Sequence, residues 1–344
     1  MTNYAQEAFL HQIIGRALSV GASDIHLKVG QPPGARVAGD LVYFRVDRIR
    51  PEDTEAAARV LLGTHPDALR LETLEESVFA YRVPQVASFR VGLFRTRGSL
   101  AIVMRKIPLN VPTLNELGVP PAVTPLTLMN RGLVIVTGAA GQGKTTTLAG
   151  MINHLTMTAA KHVVTLEQPI EFSFEERRSS INQREVGIDV DSFALGLAAL
   201  RFQDPDVVMI SDIRQTDVLE GALEAAESGK LVLGALSAPD VERAVMKLFS
   251  LGREVPDFPT RLASALEGVV AQRLVNRREN NGLILACETF IPSTTARTAL
   301  RNPDGAATIR RLTEGGGAAT SGIVSFAAAL ERLASASLIA KQTT

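Results

Sequence analysis

The sequence predicts an α/β protein in which a larger domain, built on a parallel β-sheet, follows a smaller α+β domain. In the second part of the chain, apolar runs alternate with helical stretches, and the runs are continuously apolar, as at residues 162–166 and 207–210. Such strands suit a parallel sheet that is covered on both faces. A proline-rich segment separates this part from an N-terminal part with shorter, alternating strands.

The smaller domain is predicted over residues 1–107. Apolar residues recur at helical spacing from Phe9 to Leu18 and stop at Gly21, and the alternation that follows predicts a strand around Ile25 to Val29. Gln31-Pro32-Pro33-Gly34 predicts a turn. The further predicted elements are a helix at about 51–62 and strands at 41–46, 77–82, 88–94 and 100–105.

A linker is predicted over residues 108–122, where the four prolines at 108, 112, 120 and 121 favour an extended connection. The larger domain is predicted over residues 123–344, and a flexible loop at Gly315-Gly316-Gly317. Its predicted strands lie near 133–137, 162–166, 206–211 and 230–236. The carboxyl ends of such strands form the edge at which parallel sheets place their chemistry.

Composition limits the class of protein. The 36 basic residues balance 36 acidic ones, so no overall field attracts nucleic acid or an anionic membrane. The single cysteine, Cys287, excludes an internal disulfide and a multi-cysteine zinc site, and is most simply a small buried apolar residue. No apolar stretch approaches the roughly 20 residues of a membrane span, and the N-terminus lacks a signal-peptide pattern. We expect a soluble cytoplasmic protein.

The strongest motif is GxxxxGK[ST] at residues 138–145, between an apolar strand and a helix-forming stretch. Its glycines let backbone N–H groups point at phosphates, Lys144 would reach the β- and γ-phosphates, and the Thr145 hydroxyl would bind Mg²⁺. A glycine-rich turn of another α/β protein is the alternative. The predicted ligands are ATP and Mg²⁺, held by Gly138, Gly141, Gln142, Gly143, Lys144, Thr145 and Thr146.

Acidic residues follow two other predicted strands. Glu167 and Glu171 come after the second strand, and Asp212 comes after Ser211 at the end of the third. A carboxylate there can hold Mg²⁺ through water or orient the attacking water, so Glu167 and Asp212 are predicted to be catalytic, with Asp212 also a metal ligand through water. The alternatives are a helix N-cap for Asp212 and solvent-exposed turn acids for Glu167 and Glu171.

Arginines cluster on the hairpin that ends the smaller domain. A clamp on a γ-phosphate needs guanidinium groups delivered from outside the loop, although each arginine taken alone could be a solvated surface residue. The arginines of this hairpin are Arg90, Arg95, Arg97 and Arg105.

Together these residues resemble the secretion ATPase superfamily, which includes the type II secretion ATPases, and most closely its PilT/PilU group of type IV pilus retraction ATPases. The resemblance runs over nearly the whole chain. Its further motifs are Ser23-Asp24-Ile25-His26, Phe89-Arg90-Val91, Thr165 to Phe172, Asn182 to Val186, Asp204-Pro205-Asp206, Ala225 to Gly229, and a weakened signature helix at Ala296 to Arg301.

The resemblance implies a PAS-like N-terminal domain joined to a RecA-like ATPase domain, in a homo-oligomeric ring of six. It implies that nucleotide sits between the domains and that Arg90 and Arg105, and less so Arg97, close on it. It also implies a motor for pilus retraction and twitching motility that works in the cytoplasm, peripheral to the inner membrane. The implied partners are an inner-membrane platform protein and a sister retraction ATPase.

The chain departs from the pattern at hydrolytic positions more than at binding positions. Asp212 stands where the group usually has Glu, Gln168 where Asp is usual, and Ser237 where histidine is expected, while Ala198 and Phe202 replace two arginines. Two hypotheses stay open: a slow or accessory retraction motor, and a nucleotide-binding regulatory or scaffold subunit with little hydrolysis.

Two further classes are disfavoured. Pilus-assembly and type II secretion ATPases usually carry a four-cysteine zinc module, which one cysteine cannot supply. A nucleic-acid motor would need a basic stripe with interleaved aromatic residues, but the chain has no tryptophan, 3 tyrosines and 13 phenylalanines, and no such stripe. No nucleic-acid partner is expected.

Overall fold

The structure is a computed structural model that describes residues 2–37, 39–107, 111–278, 282–302 and 323–340. The chain divides into two compact units by its internal contacts. The first comprises Met1–Asn110, Gln168–Ser173 and Glu185–Asp189, and the second comprises Val111–Glu167, Phe174–Arg184 and Val190–Thr344. The predicted loop at residues 315–317 lies outside the described residues. None of the helices in the described ranges is long and apolar enough to cross a membrane.

In the described part of the first unit, six strands form one antiparallel sheet in the order β3-β2-β1-β6-β5-β4. The helices α1 and α2 cover one face, where Leu10 and Leu61 pack in one core with Ile25 and Met104. The elements are α1 Glu7–Ser19, β1 Ala22–Lys28, β2 Gly34–Val37, β3 Asp40–Tyr43, α2 Pro51–Leu62, β4 Glu76–Val83, β5 Ala87–Thr96 and β6 Ser99–Ile107.

The predicted helix at 51–62 is confirmed, and it begins with Pro51, whose missing N–H is unneeded in a first turn. The predicted turn at residues 31–34 lies where the chain reverses between β1 and the antiparallel β2, although Gly34 already begins β2. The strand β2 was not predicted, and the strand predicted over 41–46 is wrong at its end, because β3 ends at Tyr43. All four residues of β3 are exposed, so no alternation of buried and exposed residues marks where the strand begins and ends.

In the described part of the second unit, seven strands form a sheet in the order β13-β12-β7-β11-β10-β8-β9. The strands β12, β7, β11, β10 and β8 run parallel, and β13 is antiparallel to β12. The strands are β7 Gly132–Thr137, β8 His162–Glu167, β9 Ser180–Glu185, β10 Val207–Ile210, β11 Leu231–Leu236, β12 Leu266–Asn276 and β13 Leu283–Phe290. The predicted parallel sheet and the predicted fold class are confirmed.

Helices cover both faces of this sheet. On one face α3 packs with residues 111–128, so that Met151 and Val123 share a core with Val134 of β7. On the other face α5 to α9 bury Leu133 and Ile210. The helices are α3 Lys144–Thr158, α4 Phe193–Ala199, α5 Thr216–Glu227, α6 Val241–Leu251, α7 Phe258–Ala265, α8 Thr294–Leu300 and α9 Phe326–Ser335.

The described part of the predicted linker packs against α3. The Asn153 side chain donates to the carbonyl oxygen of Val111 at 2.9 Å, and a Cβ on Gly150 would lie 2.9 Å from the Leu117 side chain. A short 3₁₀ helix follows at Pro121–Leu128. The domain limits 1–107, 108–122 and 123–344 stay a prediction.

Candidate nucleotide site

The phosphate loop, residues 138–145, follows the fully buried strand β7 and turns where glycine is required. Gly141 and Gly143 have φ of 74° and 80°, a left-handed conformation that costs other residues about 1–2 kcal/mol. At Gly138 the requirement is steric, because a Cβ would lie 2.8 Å from the carbonyl oxygen of Gln272 on β12. The backbone therefore passes close to β12 before it curls away.

Helix α3 begins at Lys144, directly after the loop. Its N-cap is Gly143, which offers no side-chain hydrogen bond, and its first turn contains no acidic residue. Gly143 therefore cannot cap the first amides of α3 with a side chain, as suits an anion at a helix N-terminus. Lys144 Nζ donates to the carbonyl oxygens of Gly138 and Ala139, each at 3.0 Å. The half-buried Thr145 and Thr146 follow on the first turn.

The strand β12 holds the loop through two glutamines, and the role of Gln272 was missed by the sequence analysis. Gln272 Nε2 donates to the carbonyl oxygen of Gln142, and the backbone N–H of Leu274 donates to Gln142 Oε1, both at 2.6 Å. No local signal could have revealed this contact, because 130 residues separate Gln272 from Gln142.

Glu167 ends β8 and is almost completely buried, at 1% exposure. Its Oε1 accepts hydrogen bonds from the Thr165 hydroxyl at 2.8 Å and from Gln183 Nε2 on β9 at 2.9 Å. These contacts fix the carboxylate at the carboxyl end of β8. The alternative of a solvent-exposed turn acid is wrong for Glu167.

Asp212 follows β10 and lies between two backbone anchors. The N–H of Ser211 donates to Leu166 on β8 at 2.9 Å, and the N–H of Ile213 donates to Ala235 on β11 at 2.8 Å. Asp212 forms an ion pair with Arg214, while its Oδ1 is buried and accepts no hydrogen bond from the described residues. Asp212 thus keeps one carboxylate oxygen for a ligand.

The parallel register places the acids at one edge of the sheet. Leu166, Ile210, Gly234 and Ile135 stand side by side on β8, β10, β11 and β7. Glu167 directly follows Leu166, and Asp212 lies two residues after Ile210. The two acids therefore follow the adjacent strands β8 and β10. Because β11 separates β10 from β7, Asp212 is two strand spacings, roughly 10 Å, from the start of the phosphate loop.

Three further departures, Ser237, Ala198 and Phe202, lie on the surface of the second unit, whereas the exposed Gln168 belongs to the first. Ser237 is exposed just beyond β11, in a turn whose next residue, Ala238, bonds through its N–H and C=O to the Thr137 hydroxyl at 3.0 and 2.8 Å. Ala198 is exposed, and the Phe202 ring is 83% exposed. Neither apolar side chain can replace the hydrogen bonds of an arginine.

Arg90 and Arg105 belong to the first unit, where they are paired positions on β5 and β6. Arg90 Nη1 lies 3.4 Å from Glu171 Oε1, so Glu171 holds a predicted clamping residue rather than standing alone. Arg105 Nε donates to Asp24 Oδ1 at 2.7 Å. Burial alone would raise the pKa of Asp24, but hydrogen bonds from Ser23 and Arg105 outweigh it and lower the pKa below 3.8.

The first unit also includes Glu185, a residue that the sequence analysis quoted only within a motif. Its carboxylate accepts from the N–H of Ala80 on β4 at 2.9 Å and from the N–H of Ile170 at 3.3 Å. Burial raises the pKa of Glu185 despite these bonds. The carboxylate therefore ties the segment with Glu171 to β4.

The predicted arginines and the predicted phosphate loop thus occur in different units, each with its own contacts. Within the described residues, no group of three or more His, Cys, Asp or Glu side chains is arranged to hold a metal ion. Cys287 is buried, as expected, and burial raises the pKa of its thiol to about 12.

Comparison with known proteins gives a consistent result. The family described as "Type II/IV secretion system protein" matches residues 3–338. The type IV pilus retraction ATPase PilT of Pseudomonas aeruginosa PAO1 is 32% identical over 294 residues, which cover 84% of each chain. The type IV pilus ATPase PilU of the same strain is 32% identical over 291 residues, covering 82% of this chain and 74% of PilU.

A solved structure agrees with both. The crystal structure of the pilus retraction motor PilT with bound ADP superposes with a TM-score of 0.85 at 33% identity, covering 96% of this chain and 94% of that one. The resemblance predicted from the motifs is confirmed. The family matches nearly the whole chain, and the two relatives are each 32% identical to it. This chain therefore belongs to the type II/IV secretion system protein family.

Proposed function

We propose that this chain is a subunit of an ATP-hydrolysing motor that powers type IV pilus retraction. The family membership, the relatives named as pilus retraction ATPases and the ADP in the similar solved structure support this proposal. The observation that carries it is the phosphate loop: two left-handed glycines, a third against β12, and a helix whose N-cap residue is a glycine without a side chain.

The binding step follows from these groups. Amides of the loop and of the first turn of α3 donate to the phosphate oxygens of ATP. Lys144 Nζ, now on the carbonyls of Gly138 and Ala139, is near enough to exchange them for β- and γ-phosphate oxygens.

The residues present fit a Mg²⁺ ion carried with the nucleotide. Oxygen ligands are what Mg²⁺ prefers, and a few protein oxygens with waters and phosphates complete its shell. The Thr145 hydroxyl would hold it directly, and Oδ1 of Asp212, which has no hydrogen-bond partner in the described part of the chain, would hold it through water. When bound, the ion neutralises charge on the β- and γ-phosphate oxygens.

In the hydrolytic step a water attacks the γ-phosphorus and the bond to the β,γ-bridging oxygen breaks, so that ADP and phosphate leave. Glu167 or Asp212 orients the water, and Arg90 and Arg105 stabilise the charge of the transition state. Arg90 must first leave Glu171, and Arg105 must leave Asp24, or each must share its guanidinium between the two partners.

The proposed assembly is a homo-oligomeric ring, six subunits by the resemblance, that works in the cytoplasm against the inner membrane. Its proposed partners are the platform protein of the pilus and a sister retraction ATPase. Mass photometry of the purified chain with ATP tests the ring directly. A chain that stays monomeric at micromolar concentration contradicts a ring motor.

The second candidate is a nucleotide-binding regulatory subunit with little hydrolysis. The ion pair of Asp212 with Arg214, and the exposed Ala198 and Phe202 in place of arginines, favour it. A carboxylate drawn back by about 1 Å can lose on the order of 100-fold in rate. This candidate shares the ATP site with the motor and differs in turnover.

Steady-state ATP turnover of the wild type, Lys144→Ala and Asp212→Ala separates the two. For a motor, the wild type exceeds both variants, and Asp212→Ala still binds ATP whereas Lys144→Ala binds it weakly. For a regulatory subunit, all three show the same background rate although the wild type binds ATP. A wild type that binds neither ATP nor ADP rejects both candidates.

A further inference from the structure

We propose that Gln272 is a positioning residue that fixes the phosphate loop in its binding shape, and this inference rests on the proposed function. Pairing of β12 with β7 ends at Ala271 opposite Thr137, but β12 continues to Asn276. Beyond Thr137 the chain turns away as the phosphate loop, so the next residues of β12 face the loop in place of a strand. Gln272 is the first of them.

The contact between β12 and the loop is reciprocal. The Gln272 side chain donates to the backbone carbonyl of Gln142, and the backbone N–H of Leu274 donates to the Gln142 side chain. Each bond joins a side chain of one segment to the backbone of the other, at 2.6 Å. Gln142 is thereby held through both its carbonyl group and its side chain.

The same residue contacts both ends of the loop. A Cβ on Gly138 would lie 2.8 Å from the Gln272 carbonyl oxygen, and a Cβ on Gly143 would lie 3.4 Å from Gln272 Nε2. Gly138 opens the phosphate loop and Gly143 precedes the first residue of α3. One buried side chain and its backbone therefore limit how far the whole loop can open or collapse.

The burial of Gln272 indicates that packing alone does not favour a glutamine there. The residue is 0% exposed, and its Oε1 accepts no hydrogen bond within the described ranges of the chain. An amide oxygen buried without a donor lowers stability, whereas a methionine of similar length would fill the space without that cost. A methionine at this position would lack the hydrogen bond that Gln272 Nε2 makes to the loop.

The test compares Gln272→Met with a matched control, Gln203→Met. Gln203 lies in the same unit, and among the residues that the structure describes its buried Oε1 also has no hydrogen-bond partner and its side chain makes no hydrogen bond to the loop. We measure the melting temperature, the hydrogen–deuterium exchange of residues 138–143 without nucleotide, and the Kd of a fluorescent ADP analogue for wild type and both variants.

If Gln272 positions the loop, Gln272→Met keeps or raises the melting temperature, while residues 138–143 exchange faster and the Kd for the ADP analogue rises roughly 3- to 10-fold, as expected for one lost hydrogen bond. The KM for ATP rises in the same proportion, with a smaller change in kcat. Gln203→Met leaves exchange in the loop and the Kd unchanged. A purely structural role would lower the melting temperature and leave loop exchange as it was.

The proposal is overturned if Gln272→Met is folded and matches the wild type in loop exchange and in Kd. Should Gln272→Met fail to fold, Gln272→Leu removes the same Nε2 donor with a shorter apolar side chain, and the same two outcomes decide. A wild type that binds no ADP refutes the proposed function instead. Loop exchange without nucleotide then still decides whether Gln272 holds the loop.

Discussion

Arg90 and Arg105 stand opposite each other on β5 and β6, and each holds a different carboxylate, Glu171 for Arg90 and Asp24 for Arg105. The two ion pairs differ in character. Arg90 and Glu171 are both well exposed, at 44% and 37%, whereas Asp24 is only 5% exposed beside an Arg105 that is 70% exposed. Exposed pairs contribute little to stability, while a buried carboxylate depends on its donors.

We predict that Arg90→Ala and Arg105→Ala differ in stability although both slow turnover. Removing either clamping charge should lower kcat by roughly 100-fold and change nucleotide affinity less, because such charges act mainly in the transition state. Only Arg105→Ala should also lower the melting temperature, since it leaves Asp24 without one of its two donors. Arg82→Ala, an exposed position on β4 outside the predicted clamp, is the control. Equal loss of affinity and turnover in both variants would contradict a clamping role.

Asp24 should make stability depend on pH. Its pKa is lower in the folded chain than the ordinary 3.8, so the contribution is present above about pH 4 and is lost as pH falls through the folded pKa. Asp24→Asn should therefore cost about 1–3 kcal/mol at pH 7 and progressively less below pH 4. Chemical denaturation of both proteins across this range checks the sign. A cost that stays constant with pH would show that the Asp24 charge does not matter.

Gly138→Ala should disable the nucleotide site without unfolding the sheet. The new methyl group would lie 2.8 Å from a backbone oxygen that cannot rotate away, so the loop must shift. A displacement of about 1 Å at the reacting groups can cost roughly 100-fold in turnover. The control is Gly15→Ala on α1, where no atom lies within 4 Å of the added Cβ and alanine should favour the helix by up to about 1 kcal/mol. ATP turnover and ADP titration of both variants decide.

Arg297, on the helix that resembles the retraction signature, should prove structural. Its guanidinium donates to the carbonyl oxygens of Ala263 and Leu266 at 2.8 and 2.9 Å and to Glu267 Oε2 at 2.7 Å. Arg297→Ala should cost about 2–3 kcal/mol because several charged hydrogen bonds are lost. Arg301→Ala, at the exposed end of the same helix, should leave the unfolding free energy within about 0.5 kcal/mol. Similar denaturation curves for both variants would argue against this assignment.

The features that could be predicted best from the sequence are those that depend on contiguous residues. The motif at 138–145 and the apolar runs of β7, β8, β10 and β11 are local patterns, and the structure confirms the parallel strands within one residue of most predicted ends. Because parallel neighbouring strands end at the same edge of a sheet, Glu167 after β8 and Asp212 after β10 lie at one edge.

What the sequence could not reveal depends on distant pairs. β12 and β13 were not predicted, because the 266–276 segment mixes Glu267, Gln272 and Arg273 into an apolar run that only its neighbours β7 and β13 explain. The partners of Arg90 and Arg105 were likewise unpredicted, since each lies 81 residues away along the chain. Such contacts are decided by tertiary packing, and local patterns do not contain them.

The burial of Cys287 makes the protein suitable for fluorescent labelling at introduced cysteines. The chain has no other cysteine, and a thiol with a pKa of about 12 that is 2% exposed stays unreactive toward maleimide dyes at neutral pH. A cysteine introduced at an exposed position would therefore take a fluorophore selectively in the otherwise native sequence. Pairs of such positions, one in each unit, would report by energy transfer how the distance between dyes changes during the ATPase cycle.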